Sequence, residues 1–349
     1  MDSVRTTDQR RGAPVLRRLL TLGTLLLTVA ACAGPAPDAG SPDAADGSTT
    51  LHVMAFTSAA AGWNASIPAF ANTEDGSDIN VRTTYATSAE VAKAVLDGEP
   101  ADIVHLADQG SLERLVRQKK VDADWNAGPY QGTPFHSIAT LVVREGNPRN
   151  IRGWADLLRP GIQVVAANPV LSGSGKWGLM AAYANASDGG ANHDAGIDYL
   201  NKLIFEHVVE GPTTVAESID LFLAGTGDVL LAPENTALDA ERRSPGIETL
   251  VPERTLRIDT EVAALRTGEH PDEAARLVAY LYTPEAQRLW AEAGFRSVLP
   301  EVVAEFAADF PQPQTLWTID QIGGWATLDP LLFDPENGIV TKIFDQATA

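Results

Sequence analysis

Apolar residues fall along this chain in two alternating patterns. Short dense runs at residues 51–56, 79–83 and 101–104 read as buried strands. Between them apolar positions recur at helical spacing. Trp63, Ile67 and Phe70 mark one helix, and Thr87-Ser88-Ala89-Glu90 opens another as a capping box, with Thr87 as cap and Glu90 three residues on. A further helix is predicted over 111–119 and a longer strand over 138–143. After Gly146-Asn147-Pro148 the alternation restarts. A strand over 162–167 leads to a helix over 177–185, helices near 195–205 and 216–223, and a strand over 228–231. Residues 262–265 read as a strand leading back. The remainder is helical at 272–282, at 284–293, and in one helix from Trp325 into Ile343.

Repeated strand–helix alternation predicts an α/β protein of mainly parallel sheets flanked by crossover helices. Its stop and restart predict two lobes, with chain crossings near 136–142 and 250–265. Residues 51–138 and 262–349 are expected to form lobe I, and 139–261 lobe II. Ligands in such folds sit at strand C-terminal ends, where helix N-termini converge, here in the cleft between lobes.

One stretch concentrates candidate chemistry: Asn168-Pro169-Val170-Leu171-Ser172-Gly173-Ser174-Gly175-Lys176-Trp177. It joins a predicted strand to a predicted helix, so backbone N–H groups without intrahelical acceptors and the positive helix end are presented together. Ser172 and Ser174 add hydroxyl donors, and Gly173 and Gly175 let the backbone approach closely. Such a loop suits an anion; the same residues would equally make an ordinary helix cap. A nucleotide P-loop does not fit, because its first glycine would be Val170 and the residue after Lys176 is Trp177.

The first 31 residues read as a targeting segment. Arg10, Arg11, Arg17 and Arg18 precede a short apolar run too brief to span a bilayer, which takes about 20 residues. The run ends in Val29-Ala30-Ala31-Cys32, which resembles a bacterial lipoprotein signal box. That resemblance implies lipidation of Cys32, the one cysteine of the chain, and a place on the outer face of the cytoplasmic membrane. Residues 32–50, built of Pro, Gly, Ala, Asp and Ser, are expected to be a flexible tether.

With 349 residues the chain is long enough for two lobes and a sizeable core. Its net charge of −20 argues against nucleic-acid binding, which needs clustered Lys and Arg. The six histidines show no metal-ligand spacing, and Gly173-Ser174-Gly175 is not a nucleophile elbow, so no enzyme, metal or cofactor is expected. Trp177, Trp290 and Trp325 read as core anchors, and His105 as a structural histidine that could alternatively face the cleft.

From about Leu51 onward the chain resembles the sulfate-binding proteins of bacterial ABC importers, within the type II periplasmic-binding-protein fold. The residues that carry this are Ala101 through Ala107, Arg144-Glu145-Gly146-Asn147-Pro148, Trp154-Ala155-Asp156-Leu157, the Asn168 to Trp177 loop, Pro233-Glu234-Asn235 and Gly323-Gly324-Trp325. The resemblance implies a monomer that captures sulfate by backbone N–H groups and hydroxyls, without counter-charge, for a permease and its ATPase. Position by position it implies Ser88 from lobe I and Ser172, Gly173 and Ser174 from lobe II, with a further backbone donor near Thr214. Phe56-Thr57-Ser58 stands where the family has Tyr-Asp-Pro, so Thr57 or Ser58 would replace a lost donor. Pro233 stands where the family has a cleft tryptophan, and Glu90 where it tends to have lysine. These departures keep molybdate, tungstate and thiosulfate open as alternatives to sulfate. A different class of function, a surface adhesin or scaffold with a vestigial cleft, also stays open.

Overall fold

The computed structural model of the chain describes residues 48–170 and 172–347. The expected signal peptide, Cys32 and the tether up to residue 47 lie outside the described residues. The tether ends earlier than expected, because Thr49 and Thr50 already pair with Ile79 and Asn80.

The first half runs β1 (Thr49–Phe56), α1 (Ala60–Ala71), β2 (Ile79–Ala86), α2 (Ser88–Asp97), β3 (Ile103–Leu106) and α3 (Gln109–Arg117). A long strand β4 (Phe135–Arg144) leads into β5 (Val164–Val165), α4 (Gly173–Ala186), α5 (His193–Lys202), β6 (Val208–Glu210) and α6 (Val215–Leu223). There follow β7 (Val229–Pro233), α7 (Glu234–Arg243), β8 (Ile247–Leu250) and the long β9 (Arg254–Ala264). The chain closes with α8 (Pro271–Tyr280), α9 (Pro284–Glu292), β10 (Arg296–Ser297), α10 (Pro300–Glu305), β11 (Thr315–Trp317), α11 (Trp325–Phe333) and α12 (Ile339–Ala347).

The strands form one hydrogen-bonded path, β2-β1-β3-β9-β4-β7-β5-β6, and β4 and β9 divide it. β9 pairs β3 through residues 261–264 and β4 through 257–260. β4 pairs β9 through residues 135–138 and then β7 through 139–143. Each long strand therefore changes partner midway and carries the chain from one half to the other. On either side the pairings are parallel, β2-β1-β3 in one half and β7-β5-β6 in the other.

Strand alternation explains why both halves need helices on both faces. In β1, Leu51, Val53 and Ala55 pack against Trp63 and Phe70 of α1 and against α8 and α9, while Met54 faces α2 and α3. In the second half Leu141, Val143, Val164, Val229 and Leu231 share a core with α4 and α5. Val142, Val165, Leu230 and Ala232 face α6 and α7 instead. Each fully buried side chain of this size contributes roughly 1.5–3 kcal/mol relative to exposure.

The C-terminal segment corrects the expected lobe assignment. Ile319, Trp325, Leu332, Val340 and Phe344 join the core of Leu141, Trp177 and Val229, so residues 315–347 pack on the second half rather than in lobe I. The single helix expected from Trp325 into Ile343 is two. Asp334 precedes Pro335 and takes an extended ψ of 131°, as a residue before proline must when the ring excludes the α region. The strand expected over 162–167 holds ladder geometry only at Val164–Val165, and α4 begins at Gly173, four residues before the expected 177.

Candidate functional site

The loop between β5 and α4 is held by its own hydrogen bonds and by one to the connection between β6 and α6. Asn168 N–H donates to Pro212 O at 2.8 Å, Asn168 Oδ1 accepts from Val170 N–H, and Ser172 N–H donates back to Asn168 O at 2.9 Å. Ser172 then caps α4, its Oγ accepting from Gly175 N–H at 3.1 Å. Gly175 is required by proximity: a Cβ there would sit 2.9 Å from Ala167 O. The loop is thus a true cap, and it is also one wall of a cleft.

That cleft has a volume of about 440 Å³. β1 runs into Thr57 and Ser58 at its edge, and α2 presents Thr87 and Ser88. α4 presents Ser172, Gly173 and Ser174, and α6 presents Thr214, Val215 and Ala216. Every residue expected in the site except the lipidation cysteine therefore lines one cavity. Asn235 and Thr236, in the first turn of α7, line it too and were not expected. Their signal in the sequence was a proline at a strand-to-helix junction, which starts a helix as readily as it ends a strand.

Caps decide which donors remain. At α2 the expected capping box forms: Thr87 N–H and Oγ1–H donate to Glu90 Oε2 at 2.9 and 2.8 Å, and Glu90 N–H donates to Thr87 Oγ1 at 3.3 Å. Those bonds, backbone first, hold the Glu90 carboxyl below its usual range. A second box forms at α6, where Thr214 N–H donates to Glu217 Oε2 at 3.0 Å and Thr214 Oγ1 accepts from Glu217 N–H at 3.1 Å. The backbone donor expected near Thr214 is therefore already engaged at Thr214 itself. The first-turn N–H groups of Val215 and Ala216 stand one and two residues on, where a helix leaves its donors without intrahelical partners. Both glutamates turn onto their own caps and neither lines the cleft.

Ser88 is buried, and its Oγ accepts from Ala107 N–H at 3.1 Å, which leaves its hydroxyl proton free. The Ala107 carbonyl in turn accepts from Trp177 Nε1–H at 2.7 Å. One residue, Ala107, thus ties the first-half serine to the helix that carries the second-half serines, through the peptide groups on its two sides.

Cations stay off the cleft floor. Lys176 reaches the other way, 2.5 Å from Asp329 Oδ1 and over the Phe333 ring. His105 is fully buried among Phe56, Trp63 and Trp290, and its Nδ1 accepts from Trp63 Nε1–H at 3.1 Å. Burial lowers its pKa to about 3, so it is neutral and structural. Asp220, Asp239 and Arg243 border the cleft further along α6 and α7. Arg243 pairs with Asp239 at 2.9 Å. These positions lie beyond the first turn, roughly 7 Å or more along each helix axis from the N-terminal donors.

Two α/β halves joined by strands that exchange partners, with helix N-termini converging on the cleft between them, define a periplasmic-binding-protein fold. The family model described as bacterial extracellular solute-binding protein matches residues 51–296, and the chain belongs to that family. Among its relatives, a sulfate-binding protein of Synechococcus elongatus is 31% identical over 317 residues, covering 88% of this chain and 90% of that protein. The sulfate-binding protein of Salmonella typhimurium is 31% identical over 273 residues, 76% of this chain and 83% of its own length. Among solved structures, the sulfate-binding protein SubI from Mycobacterium tuberculosis H37Rv is 46% identical. It covers 82% of this chain and 100% of its own, with a TM-score of 0.78.

Proposed function

We propose that this protein is the extracytoplasmic binding lipoprotein of an ABC importer, that it captures sulfate in the cleft and that it delivers it to a permease and its ATPase. In this reading Cys32 carries the lipid, the protein acts as a monomer and does no chemistry on its ligand. One lobe comprises residues 49–138 and 262–310, the other 139–261 and 315–347. The observation that carries it is the convergence on one cleft of Ser88, Ser172, Gly173, Ser174 and the start of α6, with Lys176 in the first turn of α4 turned away to Asp329 and no lysine or arginine lining the cleft at the first turns. Sulfate at neutral pH has no proton, so a floor of donors fits it. Monohydrogen phosphate needs an acceptor for its O–H, and the nearest glutamates are held in their caps. Thr57 and Ser58 supply hydroxyls at the edge of the cleft where β1 ends.

Five to seven charge-assisted hydrogen bonds at roughly 1.5–3 kcal/mol each, set against desolvation and association, leave about micromolar affinity. Thermal unfolding with sulfate, thiosulfate, molybdate, tungstate and phosphate tests the reading. At a thousandfold excess over Kd, sulfate should stabilise the protein by about 4 kcal/mol, a shift of several degrees, and do so more than the others. No shift with any of them, or the largest with phosphate, defeats it.

A further inference from the structure

The start of α7 carries two polar side chains, Asn235 and Thr236, with no partner among the described residues. Pro233, its cap, has no N–H to give. Glu234 turns inward, its carboxylate accepting from Arg296 Nε–H and Nη2–H at 2.6 and 2.8 Å, both side chains buried. Asn235 is the next residue and it faces the cleft. Its backbone N–H donates to Ser137 Oγ at 3.3 Å, which pins the turn to β4. The residue is only 4% exposed, yet its side-chain amide has no bond to any described residue. Thr236 follows, also lining the cleft, with its Oγ1 buried and unpartnered. The Thr236 hydroxyl is therefore a buried group left unsatisfied, and beside it the unpaired Asn235 amide lines the cleft, where a bound group can reach it.

We infer that Asn235 is a direct ligand group of the cleft. Its Nδ2–H donates to an oxygen of a tetrahedral oxyanion held from the other sides by Ser88 and Ser172 to Ser174, and the Thr236 hydroxyl supports it. This rests on the reading of the cleft as an oxyanion site and adds to that reading a residue that sets specificity. An amide differs from a hydroxyl in having a separate donor and acceptor. With Nδ2 toward the anion it favours one that carries no proton. A carboxylate in the same place could only accept, and would favour an anion that still has a proton to donate.

The experiment is calorimetry of sulfate and of phosphate with the wild-type protein, Asn235→Ala and Asn235→Asp, with ligand-free melting to establish that each variant is folded. Asn235→Ala should weaken sulfate about 10- to 100-fold, the range for one charge-assisted hydrogen bond. Asn235→Asp should weaken sulfate further and phosphate much less, so that the ratio of the two affinities moves toward phosphate. That change of ratio is a readout that a residue acting only on the fold would not give. If both variants bind sulfate as the wild type does, or if Asn235→Asp weakens both anions equally, the inference is wrong while the reading of the cleft stands. If the wild type binds neither anion, that reading fails and takes this inference with it. Should one variant not fold, the other decides, since Asn235→Ala must lose affinity and Asn235→Asp must change the ratio.

Discussion

Unlike Ser88 and Ser172, Ser174 has a hydroxyl with no partner among the described residues, as does Ser58 at the cleft edge. Ser172 caps α4, and Ser88 accepts from Ala107 N–H. Ser174→Ala should therefore weaken oxyanion binding by about 1.5–3 kcal/mol and leave the ligand-free melting temperature unchanged. Ser88→Ala should weaken binding and also destabilise the fold by roughly 1–3 kcal/mol, because a buried N–H loses its acceptor. Lys176→Ala should leave affinity unchanged in the same titrations, since its ammonium is engaged by Asp329. Two buried groups set opposite pH trends. His105 has its pKa lowered by burial to about 3, so the stability it contributes is present above its ordinary value of about 6.5 and is lost as pH falls toward 3. Glu261, buried and close to Asp259 and Asp108, has its carboxyl pushed well above the usual range, by burial first and by those charges second. Its contribution is present in acid and lost as pH rises above about 4.5, where the unfolded chain ionises and the folded one resists. Glu261→Gln should accordingly raise the melting temperature at pH 8 and leave it nearly unchanged at pH 4.

At the scale of elements, the caps were legible and the sheet edges were not. Thr87-Ser88-Ala89-Glu90 announced both the start of α2 and its capping box, because the chemistry of a cap lies within four consecutive residues. The start of α4 was misplaced because Gly173 and Gly175 are poor helix formers. Close packing of Gly175 on Ala167 O, a tertiary contact, overrides that propensity. β8, β10 and β11 were missed since each is a short edge strand defined by its partner on β4 or β9. Much of the site was readable as helix N-termini with small polar residues. Asn235 and Thr236 were not named, although Pro233 at the same junction already stood where the resemblance implies a cleft residue; their unpaired side chains show only in the folded chain. The buried pair of Glu234 and Arg296 was equally invisible, being joined across 62 positions. Arg296→Met should destabilise by about 3–5 kcal/mol, read from chemical denaturation, because it leaves a carboxylate buried and unpaired. Trp177→Phe should remove the hydrogen bond to Ala107 O and cost about 1–3 kcal/mol, since a buried carbonyl is left unsatisfied.

At the scale of the whole molecule, the two long strands explain how a chain can leave one half, build another and return. β4 and β9 exchange partners side by side, so both crossings share one short paired segment. The sequence showed the two crossings because the hydrophobic alternation stops and restarts. It misplaced the C-terminal helices, whose apolar faces would fit either half and whose partner is chosen by distant packing. A net charge of −20 surrounds a cleft read here as taking a dianion. Added salt should therefore speed association by screening that repulsion. The equilibrium affinity should change little, because the proposed floor contains no charge pair to screen. The most direct test of the central claim is calorimetric titration of sulfate into the ligand-free wild-type protein at low and at moderate salt. A cleft of neutral donors predicts one site per chain, a Kd of about micromolar order and nearly the same value at both salt concentrations. No measurable binding, or an affinity that collapses as salt rises, would contradict it.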